Sequence, residues 1–129
     1  GVCLGNGGLK LKTEDMAKIG LLYLNKGNWK GEQIIPSGWV EEASRFHVAS
    51  CPAGTRREDV KIKPASSDWL QGYGYQLWLC RHNAFRADGA HGQFIIILPE
   101  KDAVITVTAN NDDMQEEINL IWKYILPAL

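Results

Sequence analysis

Five consecutive apolar residues, Phe94-Ile95-Ile96-Ile97-Leu98, constrain this chain more than any other feature. Successive side chains of a strand point to opposite faces of a sheet, so a strand apolar at every position needs cover on both sides. The run is far shorter than the roughly 20 residues of a membrane-spanning helix. It therefore reads as the central strand of a folded domain, and 129 residues suit one such domain. A composition of 45% hydrophobic and 22% charged residues is that of a globular chain rather than a disordered one. With 14 Lys+Arg against 15 Asp+Glu there is no basic field of the kind nucleic acid attracts.

Around that strand the hydrophobic period changes. Met16, Ile19, Leu22 and Tyr23 fall at helical spacing, and the helix is expected to start at Thr13 as N-cap and to stop at Gly27. Asn28 to Gly31 reads as a short turn. A second helix is expected from Pro36, with Ser37 as cap and Trp39, Val40 and Ala43 as its apolar side. From His47 to Asp68 the pattern dissolves into a long irregular segment, which in a compact domain is often a lid or binding loop. Beyond it the period becomes two. Tyr73, Tyr75, Leu77 and Leu79 alternate with Gly74, Gln76 and Trp78, predicting a strand; Cys80–Asn83 turns into a second strand at Ala84–Ala87. Gln93–Leu98 and Val104–Thr108 follow as an antiparallel pair, and Asp113 with Glu116 opens a last helix whose stripe is Ile118, Ile121, Trp122 and Ile125.

The expected fold class is α+β: an antiparallel meander of three to four strands, a packed C-terminal helix and two N-terminal helices. Residues 1–46 form the helical part, 47–70 a variable loop, and 71–129 the sheet with its helix. Only the last helix is an obvious cover for the sheet, so the second layer is expected to lie outside this chain. An open sheet surface further predicts self-association as a homodimer. The opening Gly-Val-Cys, without Met, and the flexible Gly5–Gly8 read as the start of a processed product or an excised segment; localisation stays open.

The serines, Ser37, Ser44, Ser50, Ser66 and Ser67, include none followed by Lys at the third position and none in a Gly-x-Ser-x-Gly turn. Three cysteines, Cys3, Cys51 and Cys80, are an odd number and favour reduced thiols. His47 with Cys51 and Cys80 with His82 offer four zinc-type ligands, but Cys-x-His is tighter than the paired spacings such sites use, so no metal is expected. Asp112, Asp113, Glu116 and Glu117 suit a helix start. The most distinctive segment is Asp88-Gly89-Ala90-His91-Gly92-Gln93-Phe94, where glycines beside a buried strand permit close approach of a ligand. A strand edge there can present backbone N–H groups to a developing oxyanion, with His91 at hand for orientation or proton transfer. A hydrogen-bonded histidine in a Gly-containing bulge accounts for the same residues.

The segments Gly8–Asn25, Gly27–Pro36, Trp39–Glu42, Gly72–Trp78, Asp88–Phe94 and Leu98–Asp102, in that order, resemble the later part of serine beta-lactamase-related hydrolases. That family includes class C beta-lactamases, penicillin-binding D-alanyl-D-alanine carboxypeptidases, esterases and 6-aminohexanoate-dimer hydrolases. The resemblance implies a partial beta-lactamase-like fold, the C-terminal portion of a bacterial protein whose earlier part carries Ser-x-x-Lys and a Tyr-x-Asn-type element. By resemblance, Asp88–Gly92 lies where the family has its Lys-Thr-Gly or His-x-Gly motif, though neither occurs here in simple form. The implied catalytic groups are the Ala90 N–H as a strand-borne oxyanion donor and His91, with Asp88, Gly89, Gly92 and Gln93 lining the substrate wall. The implied chemistry is acyl transfer from an amide or ester without cofactors, with the missing half of the domain as partner and the isolated chain inactive. A non-catalytic binding module derived from the same fold is the competing expectation.

Overall fold

A computed structural model describes residues 7–52 and 54–129; Cys3 and the Gly5–Asn6 part of the opening turn lie outside them. Helix α1 spans Thr13–Leu24, with Glu14 and Asp15 in its first turn beside the positive end of the helix dipole. Lys12, not Thr13, occupies the cap position and no side chain caps the helix; the Thr13 hydroxyl instead pairs with that of Thr108 at 3.1 Å. Gly27 (φ +82°) ends the helix by donating its N–H to Leu22 O, and a Cβ there would collide with Ile35 O. The expected turn at residues 28–31 is a small hairpin, β1 (Asn28–Trp29) paired with β2 (Glu32–Gln33). Its turn is Lys30-Gly31, both with positive φ, as a tight two-residue hairpin loop requires. Helix α2 is Ser37–Ala43; Ser37 is its first residue rather than its cap, Val40 and Ala43 are buried, and Trp39 is half exposed.

The main sheet is a four-stranded antiparallel meander in the order β3 (Trp78–Leu79), β4 (Phe85–Gly89), β5 (Gln93–Leu98), β6 (Ala103–Thr108). The fold is α+β, as expected. The strand predicted over 73–79 is reduced to its last two residues. Gly74 N–H donates to Leu77 O, Gln76 takes φ +60°, and Tyr75 N–H donates to Ala43 O, so this stretch folds into a turn that fastens α2 to the sheet. Gly74 permits that approach, since a Cβ would strike Ala43 O.

The expectation that the sheet's second layer lies outside the chain is overturned. Phe94 to Leu98 is buried at every position because α1 lies over one face and the C-terminal helix over the other. On the α1 face Phe85, Ile95 and Ile97 meet Met16, Ile19 and Tyr23. Gly20 is the point of closest approach, because a Cβ there would run into Val104 and Ile95. On the other face Phe94, Ile96 and Leu98 meet Ile118, Ile121 and Trp122. That helix, α3 (Met114–Leu120), is capped by the Asp113 carboxylate accepting from Glu116 N–H at 3.0 Å, as the sequence predicts. It continues as a π-helical turn over Ile121–Ile125. The wider turn shifts the phase of the apolar stripe and leaves Ile125 41% exposed instead of buried.

Candidate functional site

The central strands bring chemistry to two places: a buried polar cluster under α3 and an apolar groove under α1. The cluster begins where the irregular segment ends. Ser67 and Asp68 end the segment expected as an irregular lid or binding loop, yet both are fully buried. Asp68 accepts from Arg81 N–H (2.8 Å), Arg81 Nε (3.0 Å) and Nη2 (2.7 Å), Gln115 Nε2 (3.0 Å) and Trp122 Nε1 (3.0 Å). Burial alone pushes its carboxyl up, but these donors outweigh burial and hold it below the usual carboxylate range. Arg86, with no exposed surface, donates from Nε to Asp88 (3.1 Å) and from Nη1 to Asp68 O (3.0 Å) and Cys80 Sγ (3.2 Å). Its guanidinium lies 4.5 Å from the Trp69 ring and 5.4 Å from that of Trp78, which suits a weakly hydrated planar cation. Burial raises the Cys80 thiol to about 11 despite Arg86, and it also raises Asp88. Cys80 is therefore protonated and inert near neutral pH.

The groove runs between α1 and the outer part of β4. A cavity of about 410 Å³ is lined by Leu9, Leu11, Met16, Ile19, Ala87, Asp88, Gly89, Gln93, Ile95 and Thr108, with the Lys10 side at its rim. A second, of about 180 Å³, shares Ile19, Ala87 and Ile95 with it and reaches Tyr23, Tyr75 and Gln76. Beside this groove β4 has an open edge. Cys80 N–H donates to Ala84 O at 2.8 Å, so Ala84, Arg86 and Asp88 turn their backbone groups toward β3 while Phe85, Ala87 and Gly89 turn theirs toward β5. β3 is only two residues long and pairs with Phe85 and Arg86, leaving the Asp88 N–H and C=O facing outward beyond its end.

Of the residues singled out from sequence, Asp88, Gly89 and Gln93 line the groove. Ala90, His91 and Gly92 do not. Ala90 is exposed in the turn between β4 and β5, so its N–H is not carried on a strand; the last outward-facing strand N–H before the turn is that of Asp88. His91 (φ +63°) is exposed, with Nδ1 2.9 Å from Asp112 Oδ1, while Asn111 N–H donates to its carbonyl. Gly92 (φ +86°) is buried over the Glu117 carboxylate, which a Cβ would strike. Both Glu117 oxygens are buried without a hydrogen-bond partner among the described residues. Burial raises that carboxyl, and the nearby Asn111 side chain only partly offsets it. Gln93 donates to Ala109 O and thereby ties the start of β5 to the end of β6.

The four residues weighed as zinc ligands are dispersed. His47 stacks on Tyr75 (4.2 Å between centroids), Cys51 donates to Thr55 O, Cys80 faces Arg86, and His82 meets the Trp122 ring edge-on. No group of three His, Cys, Asp or Glu side chains converges among the described residues. Sequence reasoning missed Asp68, Arg81 and Arg86. The one available signal was a pair of arginines inside an otherwise apolar sheet region, since buried arginine requires a partner.

No family model matches the chain. A 6-aminohexanoate-dimer hydrolase of Paenarthrobacter ureafaciens is 30% identical over 108 residues, covering 81% of this chain and 26% of that protein. A solved structure described as a 6-aminohexanoate-dimer hydrolase from Bacillus anthracis superposes with a TM-score of 0.58 and 26% identity, over 90% of this chain and 27% of the other. The chain thus spans about a quarter of the length of the relatives it matches. The fold and the motif order agree with a likeness to part of these 6-aminohexanoate-dimer hydrolases, consistent with the resemblance to beta-lactamase-related serine hydrolases.

Proposed function

We propose that this chain is the C-terminal portion of a bacterial serine hydrolase that cleaves amide or ester bonds through an acyl-enzyme, and that it forms one wall of the catalytic cleft. The observation that carries this reading is the outward Asp88 N–H at the open end of β4, set beside an apolar groove. A preorganised backbone donor at such an edge stabilises the oxyanion of a tetrahedral intermediate by about 3 kcal/mol. The groove wall of Met16, Ile19 and Ile95 suits a flexible polymethylene chain, as in the 6-aminohexanoate dimer for which the relatives are named.

The remainder of the domain, lying against this groove, supplies the serine nucleophile, its lysine and a tyrosine. The serine attacks the carbonyl carbon, the Asp88 N–H and a second N–H hold the resulting oxyanion, and water then releases the acyl group. The reaction needs no metal or organic cofactor. Residues 7–46 and 71–129, with Ser67 and Asp68, form the packed unit on this side of the cleft. His91, pinned to Asp112 outside the groove, serves the β4–β5 turn.

The test is an assay of the complete coding frame and of the 129-residue chain against p-nitrophenyl acetate, nitrocefin and the 6-aminohexanoate dimer. A Ser-x-x-Lys upstream in frame, with turnover abolished by Ser→Ala at that motif, is the expected result. The chain alone is expected to show none. Turnover by the isolated chain above a His91→Ala control, or a start codon directly before Gly1, overturns the reading and leaves the binding module.

A further inference from the structure

We propose that Glu117 and the β4–β5 turn form a proton-operated latch: the turn seats over Glu117 while its carboxyl is neutral and lifts away when the carboxyl ionises. Gly92 is the point of contact. It lies over the Glu117 carboxylate at φ +86°, and a side chain there would strike both that carboxylate and Ala109. Both carboxylate oxygens are enclosed by the chain's own residues, so nothing outside this chain reaches them while the turn is seated.

The donors near this carboxyl are engaged elsewhere. Glu117 stands in the first turn of α3, which favours negative charge. Yet the Glu116 N–H goes to the Asp113 carboxylate and the Glu117 N–H to the Asp113 carbonyl. The Asn111 side chain donates to Asp113 O at 3.1 Å, and that of Gln93 donates to Ala109 O. The titratable groups on the elements packed around Glu117 are His91 on the turn, Asp112 and Asp113 on the β6–α3 connection and Glu116 on α3. Three of these are acids, and His91 is paired with Asp112 at 2.9 Å. None of the described lysines or arginines forms an ion pair with Glu117. Burial accordingly holds the carboxyl above its ordinary range, with Asn111 a weaker opposing influence. An ionised carboxylate so enclosed favours any conformation that lets water reach it.

Of the two sides of the contact, the turn is the one free to move. Helix α3 is held by Ile118, buried in the core, and cannot carry Glu117 outward. The turn is fastened by few bonds. His91 O accepts from Asn111 N–H at 3.0 Å and from Gln93 Nε2 at 3.4 Å, and the His91 ring meets Asp112. Strand pairing stops at Gly89 and Gln93, so these bonds open together without disturbing the ladder. Asp88, Gly89 and Gln93 at the foot of the turn line the groove, which places the latch at the groove's end. This inference rests on the enclosed carboxylate and stands apart from the hydrolase reading.

Amide exchange of Asn111, whose N–H is bonded to the seated turn, reads the latch. In the 129-residue chain its protection factor is expected to fall about tenfold per pH unit between the ordinary glutamate value and the raised value of Glu117, and then to level off. Over the same span Glu117→Gln is expected to show no pH dependence. Glu116→Gln, at an exposed neighbour, is expected to keep the wild-type slope. So is His91→Asn, which removes the imidazole and tolerates the positive φ. Wild-type protection that does not change with pH overturns the proposal. So does a slope that persists in Glu117→Gln, or one that vanishes in His91→Asn. If Glu117→Gln does not fold, the carbon-13 shift of the Glu117 carboxyl decides. Titration at the pH where Asn111 protection levels off supports the latch, and titration at the ordinary glutamate value overturns it.

Discussion

Under α3 the sheet is closed by apolar contact together with a buried charge cluster; under α1 it is closed by apolar contact alone and left with a groove. The α3 face buries Asp68 and Arg86 and half-buries Arg81 in a cluster tied together across the irregular segment, β3, β4 and the C-terminal helix, with Arg86 Nη2 left without a partner among the described residues. The α1 face buries no comparable group, and its larger cavity has an apolar wall of Leu9, Leu11, Met16, Ile19, Ala87 and Ile95 beside polar groups of Lys10, Asp88, Gln93 and Thr108. A satisfied charge network demands one geometry, because each misplaced member is an unpaired buried charge. An apolar surface makes no such demand and accepts a partner or ligand at low penalty. The charged side holds the edge of β4 in place, and the apolar side leaves the groove open beside it.

The strongest way to break this contrast is to remove Asp68. Asp68→Ala leaves the Arg81 guanidinium, the Gln115 amide and the Trp122 N–H without the carboxylate they share and is expected to destabilise the fold by about 3–5 kcal/mol in urea unfolding. Its folded-state carboxyl is held low, so that stability is present above the unfolded-state value and is lost as pH falls through the folded one. The gap between wild type and Asp68→Ala should therefore close only in strong acid. An equal loss at neutral pH from Asp68→Asn and from a surface Asp such as Asp112→Asn would show that the cluster is not special.

Next in size is Gly20→Ala on the α1 face, where the new methyl runs into Val104 and Ile95. A loss of about 1–3 kcal/mol is expected from overpacking, with much of it recovered in the Gly20→Ala, Val104→Ala double variant. Full additivity of the two single effects would mean that α1 shifts bodily instead of pressing on Val104.

Glu117 sharpens the comparison from within the α3 side, since it is the member of that face whose carboxylate lacks partners. Glu117→Gln is expected to stabilise by about 1 kcal/mol at neutral pH. Its folded-state carboxyl is raised, so the favourable neutral form is present below the unfolded-state value and its benefit is lost as pH rises through the folded one. Wild type and variant should converge in acid; divergence there would contradict the assignment. The smallest effect concerns reactivity. In a Cys3→Ser background, Cys51 is expected to react with a maleimide while Cys80, buried and raised to about 11, reacts only after unfolding.

Periodicity made the sheet legible wherever a strand was buried on both faces, as in Gln93–Leu98, and it placed the Asp113 cap correctly because capping is a local hydrogen bond. It failed at Tyr73–Leu77. There the alternation is real, but Gly74 and the contacts of Tyr75 with α2 draw the backbone into a turn. It failed again at Ile125, because nothing in the spacing announces a π-helical turn. The groove beside β4 was partly legible. Asp88, Gly89 and Gln93 were found from their glycines and their place before a buried strand. Arg86 was not, since its partners are brought together only by tertiary packing: Asp68 lies 18 residues earlier and Cys80 six.

The far end of the irregular segment is stitched down. Asp68 N–H and the Ser67 hydroxyl donate to Gln115, and Val48 bridges Tyr73 at the near end. A stretch moored on both banks behaves as a tether whose contour length is a free parameter, since doubling it adds only about 0.6 kcal/mol of closure entropy. Insertions between Thr55 and Lys63 should leave the sheet undisturbed, so this is where evolution can graft a new selectivity element or an experimenter a reporter peptide.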